Sequence, residues 1–151
     1  MKIPQEVLDL MKEEQSRHFG TAVPLDETYL RKLENYAELV VHYSAHKCAG
    51  FVFFYCNDPA KESSYITLIV TADEARRSGI GFSLVQHVLN ISRRRGFKCC
   101  RLEVAKDNAG AMKLYESIGF VSVEDRGEKW LMRVNVEQPE ARGKETKRKE
   151  A

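Results

Sequence analysis

Apolar positions recur along the chain in two periods, and each switch between them marks a boundary. From Pro4 to Gln15, Val7, Leu8 and Met11 fall at helical spacing, with Pro4 suited to a first turn and Gly20 beyond the end, which predicts a helix. Asp26 can cap a second helix on which Tyr29, Leu30 and Leu33 share a face, and residues 16–24 between the two read as a loop. From Leu39 to Tyr43 and from Gly50 to Tyr55 the composition turns β-branched and aromatic around the short polar Ala45-His46-Lys47, the pattern of a β-hairpin. Asn57-Asp58-Pro59 breaks the strand, and Ser64 to Val70 resumes it. The helical period returns from Phe82 to Arg95, with Phe82, Val85, Val88, Leu89 and Ile91 as the apolar face, until Gly96 stops it. Cys99 to Val104 is the next strand. A helix capped by Asn108 then runs to Gly119, and Phe120 to Glu124 pairs with Lys129 to Val134 through Asp125-Arg-Gly-Glu.

A strand, a helix and a second strand in succession require a crossover, so Ile66–Val70 and Cys99–Val104 must run parallel, while the hairpins are antiparallel. The expected fold is α+β: a mixed, mostly antiparallel sheet with a central parallel strand pair, flanked by helices. A chain of 151 residues with 43% hydrophobic and 30% charged residues can bury one core without staples. One domain is expected over residues 1–136. Residues 137–151 are highly charged, lack an apolar period, and are expected to be a disordered, solvating tail.

The stretch Arg76-Arg77-Ser78-Gly79-Ile80-Gly81 lies between the strand ending at Val70 and the helix starting near Phe82. A helix N-terminus carries unpaired N–H groups and a partial positive charge, so it suits a phosphate or diphosphate. Gly79 and Gly81 admit a close approach of the oxygens, Ser78 offers a hydroxyl, and Arg76 and Arg77 offer charge. The same pattern is also that of an ordinary tight turn. It is neither the dinucleotide fingerprint, since Leu84 stands where a third glycine belongs, nor a P-loop, since Gly-Lys-Ser/Thr is absent.

A second constellation follows: Asn108-x-x-Ala111-x-x-Leu114-Tyr115-x-x-x-Gly119-Phe120. With Arg76-x-x-Gly79-x-Gly81 it resembles the GNAT superfamily of acetyl-CoA-dependent N-acetyltransferases, over roughly Leu39 to Val134. The resemblance implies that the diphosphate of acetyl-CoA, as cosubstrate, rests on Arg76, Arg77, Ser78, Gly79, Ile80 and Gly81, and that its pantetheine runs along Leu68, Ile69 and Val70. It further implies that the two parallel strands splay apart and that Asn108 approaches the pantetheine besides capping its helix. Tyr115 takes the place of the general acid. Glu103 matches the glutamate that bacterial N-terminal alanine acetyltransferases use as base, with Glu62, Asp58 or a water chain as competitors, because Tyr65-Ile-Thr67-Leu-Ile lacks the glutamate many relatives carry there. The base matters because an aliphatic amine near pKa 10 is only about 0.1% neutral at pH 7, a cost of about 4 kcal/mol if unaided.

For the acceptor, the resemblance points to the first helix-loop-helix, making His18 and Phe19 candidates, while Tyr55, Asn57, Tyr65 and Thr67 would form a polar, uncharged wall. That wall suits a hydroxyl-rich or peptide-like amine; the runs from Gly50 to Asp58 and from Tyr65 to Val70 also resemble GNAT members from bacterial polysaccharide gene clusters, which makes an amino sugar the leading expectation, with a peptide α-amine, implied by the alanine acetyltransferase likeness, next and a non-catalytic acetyl-CoA-binding module as the alternative of another class. The net charge of +2 is too small and mixed to imply a nucleic-acid partner. No apolar run is long enough to span a bilayer and no signal pattern opens the chain, so a cytoplasmic protein without a membrane partner is expected. Cys48, Cys56, Cys99 and Cys100 lack zinc spacing and read as free thiols, mostly buried in the sheet; no metal is expected. Monomer and homodimer both stay open.

Overall fold

The computed structural model describes residues 1–17, 26–75 and 78–137. Among them the helices are α1 (Gln5–Arg17), α2 (Glu27–Tyr36), α3 (Ile80–Arg94) and α4 (Ala109–Ile118), and the strands are β1 (Glu38–Ser44), β2 (Lys47–Tyr55), β3 (Ser63–Thr71), β4 (Cys99–Ala105), β5 (Val121–Asp125) and β6 (Lys129–Asn135). The caps read from sequence are in place: Asp26 accepts from the Tyr29 N–H at 2.8 Å, and Asn108 from the Ala111 N–H at 3.1 Å. The β1–β2 turn places Ala45 and His46 at φ of 52° and 66°, the left-handed pair that suits a two-residue hairpin.

The six strands form one sheet in the order β1-β2-β3-β4-β6-β5, and only β3 and β4 run parallel, as the crossover required. Strand β2 is buried on both faces, which is why its sequence reads as an unbroken apolar run. Phe51 and Phe53 pack with Val7, Met11 and Leu33 of α1 and α2, whereas Val52 and Phe54 pack with Leu84 and Val88 of α3 and Leu102 of β4. The result is three layers: α1 and α2, the sheet, then α3 and α4.

One irregularity shapes the middle of the sheet. Phe53 pairs with Leu68 and Phe54 with Ile66, so Thr67 is an extra residue in β3. Thr67 and Leu68 consequently both face α1 and α2, the former bonded to Tyr29 and the latter packed in their cluster. A bulge of this kind bends its strand and increases its twist. The parallel ladder ends at the same place, with Ile66 opposite Leu102, although β3 continues to Thr71 and β4 to Ala105.

The start of α3 corrects one sequence expectation. The helix begins at Ile80, not Phe82, and its buried face is Ile80, Leu84, Val85, Val88, Leu89 and Ser92. At 100° per residue Phe82 lies about 110° from the centre of that face, and it is 44% exposed.

Helix α3 is tied to β3 by a buried polar contact. The hydroxyls of Ser64 and Ser92, both wholly buried, lie 2.6 Å apart, and Ser92 donates to the Val88 carbonyl at 2.8 Å, which makes Ser64 the donor between them. Replacing Ser92 by Ala therefore leaves a buried hydroxyl without its acceptor and should cost about 1–3 kcal/mol. The urea midpoint should fall with an unchanged slope, and Ser64→Ala in the same chain should recover part of the loss. Strictly additive losses would show that the two hydroxyls do not depend on each other.

Candidate active site

Beyond Ile66 and Leu102 the facing edges of β3 and β4 have no strand between them, and main-chain groups there are not satisfied by the sheet. On the β3 side the open edge runs through Leu68, Ile69 and Val70; on the β4 side it runs through Glu103 to Ala105, which remain paired to β6 on their other edge. Helix α3 starts just past the end of β3. Its N-cap is Gly79, at φ 85° with no side-chain cap, so its first N–H groups point outward without a side-chain partner. The two glycines have different reasons to be there. A Cβ on Gly79 would meet nothing within 4 Å but would strain a left-handed backbone, whereas a Cβ on Gly81 would come within 3.2 Å of Leu114 on α4. Gly81 thus sets how closely α3 and α4 approach. Ser78 directs its hydroxyl proton at the Ala75 carbonyl, closing the turn. A recess of about 410 Å³ lined by His42, Ser44, Ser78, Gly79, Ile80 and Ser83 opens toward β1, on the flank of α3 away from β4.

The face of the sheet under α1 and α2 carries the polar groups. Tyr55 and Tyr65 stand opposite each other in register, and the Tyr29 hydroxyl lies 3.1 Å from that of Thr67. Burial raises the phenol pKa of Tyr29 and Tyr55; for Tyr65, burial and then the nearby Glu103 carboxylate push it up to about 12. All three stay neutral near pH 7 and serve as hydrogen-bonding groups, not bases. Glu103 is paired on both oxygens: Oε2 lies 2.7 Å from Nη1 of Arg126, in the β5–β6 turn, and Oε1 lies 4.0 Å from Lys129. Arg126 also bonds Glu124, its Nε 3.2 Å from Oε2.

Tyr115 lies on the opposite face. It packs with Ile66, Leu102, Val104 and Phe120, its ring edge-on to Phe120 at 5.8 Å, and burial alone pushes its pKa up to about 12. Glu103 and Tyr115 are thus separated by the backbone of β4, and the gap between β3 and β4 is where the two faces meet.

Other expected residues fall elsewhere. Asn57 donates to the Tyr36 carbonyl at 3.1 Å, tying the end of β2 to the end of α2 instead of joining the tyrosine wall. Asp58 accepts from the backbone N–H groups of Ala60 and Glu62, which hold its carboxyl below its ordinary range, and Glu62 pairs with Lys98 at 3.2 Å. Both competitors for the base therefore sit at the start of β3, about 15 Å along the strand from its open edge. His18, Phe19, Arg76, Arg77 and residues 138–151 lie outside the described residues. Sequence reasoning missed Tyr29, Lys32 and Arg126. Tyr29 had a signal, a polar tip on an otherwise apolar helix face; Arg126 had none, since its approach to Glu103 depends on β6 pairing with β4.

The fold and the open parallel pair define an acyl-CoA-type transferase architecture, and the comparisons agree. Residues 5–120 match the acetyltransferase (GNAT) family. The chain belongs to this family. It is 27% identical over 124 residues to N-alpha-acetyltransferase 30 of Schizosaccharomyces pombe, an alignment covering 66% of this chain and 83% of that protein. It is 37% identical over 59 residues to the ribosomal protein bS18-alanine N-acetyltransferase of Escherichia coli, covering 39% of each, and 38% identical over 65 residues to a protein of Xenopus laevis described as a probable N-acetyltransferase, camello, covering 41% of this chain and only 30% of that one. Among solved structures, the Escherichia coli ribosomal-protein-S18-alanine N-acetyltransferase superposes with a TM-score of 0.71 at 20% identity over 91% of this chain and 92% of its own. The PaiA N-acetyltransferase of Thermoplasma acidophilum in complex with coenzyme A superposes with 0.69 at 16% over 89% and 96%. At these identities the superpositions speak to the fold.

The raised phenol and thiol pKa values carry a stability consequence. Tyr115 ionises near 10 in an unfolded chain and at about 12 when folded, and Cys100 moves by burial from an ordinary 9.0 to about 12. The folded state therefore keeps protons that the unfolded state releases, so this stability is complete below pH 9 and is lost as pH rises toward 12. Urea midpoints should decline across that window, and Tyr115→Phe should flatten the part between pH 10 and 12. An unchanged slope in that variant would show that Tyr115 is not buried as described.

Proposed function

We propose that the protein transfers the acetyl group of acetyl-CoA to a primary amine by direct attack within a ternary complex, and that the amine is the N-terminal α-amine of a peptide or protein. The observation that carries this reading is the parallel ladder ending at Ile66 and Leu102, with the uncapped start of α3 beyond the open edge of β3. The residues present fit acetyl-CoA. The first N–H groups of α3, at Ile80 and Gly81, lie beside the open space at Gly79 and suit its diphosphate, and the edge from Leu68 to Val70 offers main-chain partners to its pantetheine amides. Asn108, already the cap of α4, stands at the far side of the gap.

Bound acetyl-CoA supplies an acetyl group activated as a thioester. Tyr115 serves the leaving-thiol side. With its pKa near 12 against about 8.5 for a thiol, complete proton transfer to a thiolate would be uphill by roughly 5 kcal/mol, so Tyr115 acts by donating a hydrogen bond, with the proton replaced from solvent. On the amine side Glu103 is the carboxylate nearest the open edge. Its Oε2 is hydrogen-bonded to Arg126, whereas Oε1, 4.0 Å from Lys129 and beyond hydrogen-bond distance, is the oxygen suited to receive a proton from the amine.

The peptide acceptor is favoured by the relatives, two of which are named for α-amine or alanine N-acetylation. The hydroxyl-rich group of Tyr29, Tyr55, Tyr65 and Thr67 favours the second reading, an amino sugar.

Two measurements test the proposal. Coenzyme A in hundredfold excess over its Kd should stabilise the fold by about 2.7 kcal/mol, a gain that Gly79→Asp should abolish. Thiol release with acetyl-CoA should be fastest with N-terminal peptides among a panel that includes amino sugars and polyamines; turnover of amino sugars alone would replace the acceptor, and no thermal shift at all would end the acetyl-CoA reading. Tyr115→Phe should lower kcat about 10- to 1000-fold while cofactor affinity stays close to wild type. Glu103→Gln should be most impaired near pH 7 and recover above about pH 9, where the amine begins to deprotonate unaided. A small deficit, flat with pH, would leave Glu103 only its ion pair with Arg126.

A further inference from the structure

We infer that Arg101 and Arg133 bind a carboxylate of the acceptor, so that the enzyme selects peptides carrying an acidic side chain among their first residues; this rests on the peptide reading above. The two arginines stand directly opposite each other on β4 and β6. The same line across the sheet continues through Tyr65 to Tyr55 on one side and to Val121 of β5 on the other. Residues in register share a face, so this line lies on the face that carries Glu103, the next residue of β4 to point the same way as Arg101. Like charges directly opposite on neighbouring strands are destabilising, and a glutamate at either position would have made an ordinary cross-strand pair. The charge on this part of the face also fails to balance. Over β4 to β6 it carries Arg101, Arg126, Lys129 and Arg133 against the carboxylates of Glu103 and Glu124, and Arg126 pairs with both of these. Among the described residues the side chains of Arg101 and Arg133 have neither an ion pair nor a hydrogen bond.

The path of an acceptor leads to the same place. The strand residues packed under α1 and α2 come from β1, β2 and β3, so those helices leave β4 and β6 uncovered. Past Glu103, the end of β4 is closed by the β5–β6 turn, from which Arg126 reaches back to the carboxylate. Among the described residues, the surface left to a peptide whose amine sits beside Glu103 therefore runs back along β4 and β6, over the half-buried Arg101 and the exposed Arg133. Arg101 and Glu103 are about 7 Å apart along the strand and an extended peptide advances about 3.4 Å per residue, so the side chain of its second or third residue comes level with the arginines. The planar guanidinium fork takes a carboxylate through two parallel hydrogen bonds. At the far end of the line the ammonium of Lys32 stands 5.6 Å over the Tyr55 ring, which extends the positive field and disfavours an acceptor with a second cationic group.

The test measures kcat/KM for peptides that share one N-terminal residue and differ only in carrying Glu, Gln or Lys at their second and third positions. Wild type should favour the Glu peptide over the Gln peptide by about 10-fold, with the Lys peptide poorest, and the preference should shrink as salt rises from about 0.05 to about 0.5 M. Replacing Arg101 and Arg133 together by Gln should bring the Glu and Gln peptides within about twofold of each other, through loss on the Glu peptide. Replacing both by Glu should turn the preference toward the Lys peptide. The melting temperature of the Gln variant should be equal or higher, since a repulsion is removed, and its stabilisation by coenzyme A unchanged. A wild type indifferent to the charge at these positions, losses equal on all three peptides, a preference retained by the Gln variant, or a melting temperature lowered by several degrees would overturn the inference while leaving the peptide reading intact. A wild-type enzyme that acetylates other amines but no peptide would overturn that reading and this inference together.

Discussion

Strand β3 cannot stay beside β4, and the arrangement of the site follows from that. The extra residue at Thr67 turns the strand just where its parallel ladder stops, so the bend and the loss of pairing are one event. A buried sheet interior tolerates unpaired main-chain groups poorly, so an opening of this kind needs either solvent or a ligand rich in amide and carbonyl groups. The same bend carries the end of β3 toward the start of α3, which brings the uncapped N–H groups of that helix to the mouth of the opening. Phosphate-binding and amide-binding capacity are thereby joined along one line.

Holding the opening apart requires firm attachments elsewhere. Helix α3 packs on one face of the sheet against β1, β2, β3 and β4. It is fixed to β3 through the Ser64–Ser92 hydroxyl pair, and at its far end Arg95 forms a two-pronged pair with Glu38 of β1. Both contacts lie away from the gap. On the other side α4 is positioned by the close approach of Leu114 to Gly81 and by the edge-on packing of Tyr115 on Phe120. Charge is concentrated at the β5–β6 turn, where Lys106 pairs with Asp125 and lies 4.3 Å over the Trp130 ring, and Arg126 reaches back to Glu103. These exposed pairs add little stability by themselves, but they settle where the Glu103 carboxylate points.

Much of this was legible in the sequence because the signals were local. Caps at Asp26 and Asn108, glycine stops and the change of hydrophobic period each act over a few residues, and the helix between two strands forced the parallel pair. Phe82 misled because its spacing to Val85 and Leu89 is that of a single helix face, whereas Ile80, Leu84 and Val88 draw the centre of the buried face to the other side of Val85. Asn57 misled because a polar residue beside two tyrosines looked like part of their wall, whereas the carbonyl left over at the end of α2 claims it. Tyr29, Lys32 and Arg126 reach the site only through tertiary pairing. No spacing along the chain announces that a turn after β5 will stand over a carboxylate of β4, since that depends on β6 inserting between them.

The placement of Glu103 and Tyr115 on opposite faces bears on how a proton can travel. A carboxylate and a phenol within hydrogen-bond reach would pair with each other, and the acid would be spent before any reactant arrived. Here the β4 backbone separates them, and their surroundings differ: Glu103 is partly exposed among cations, while Tyr115 is enclosed by apolar side chains that hold its proton to about pH 12. Two such groups exchange nothing directly, so any connection between them must pass through whatever lies in the gap. An amine entering from the polar face and a thiol leaving toward the apolar face would complete that connection only while both reactants are bound. On the proposed reading, the division of the sheet into a polar and an apolar face favours direct attack within one complex over a covalent relay through a protein side chain.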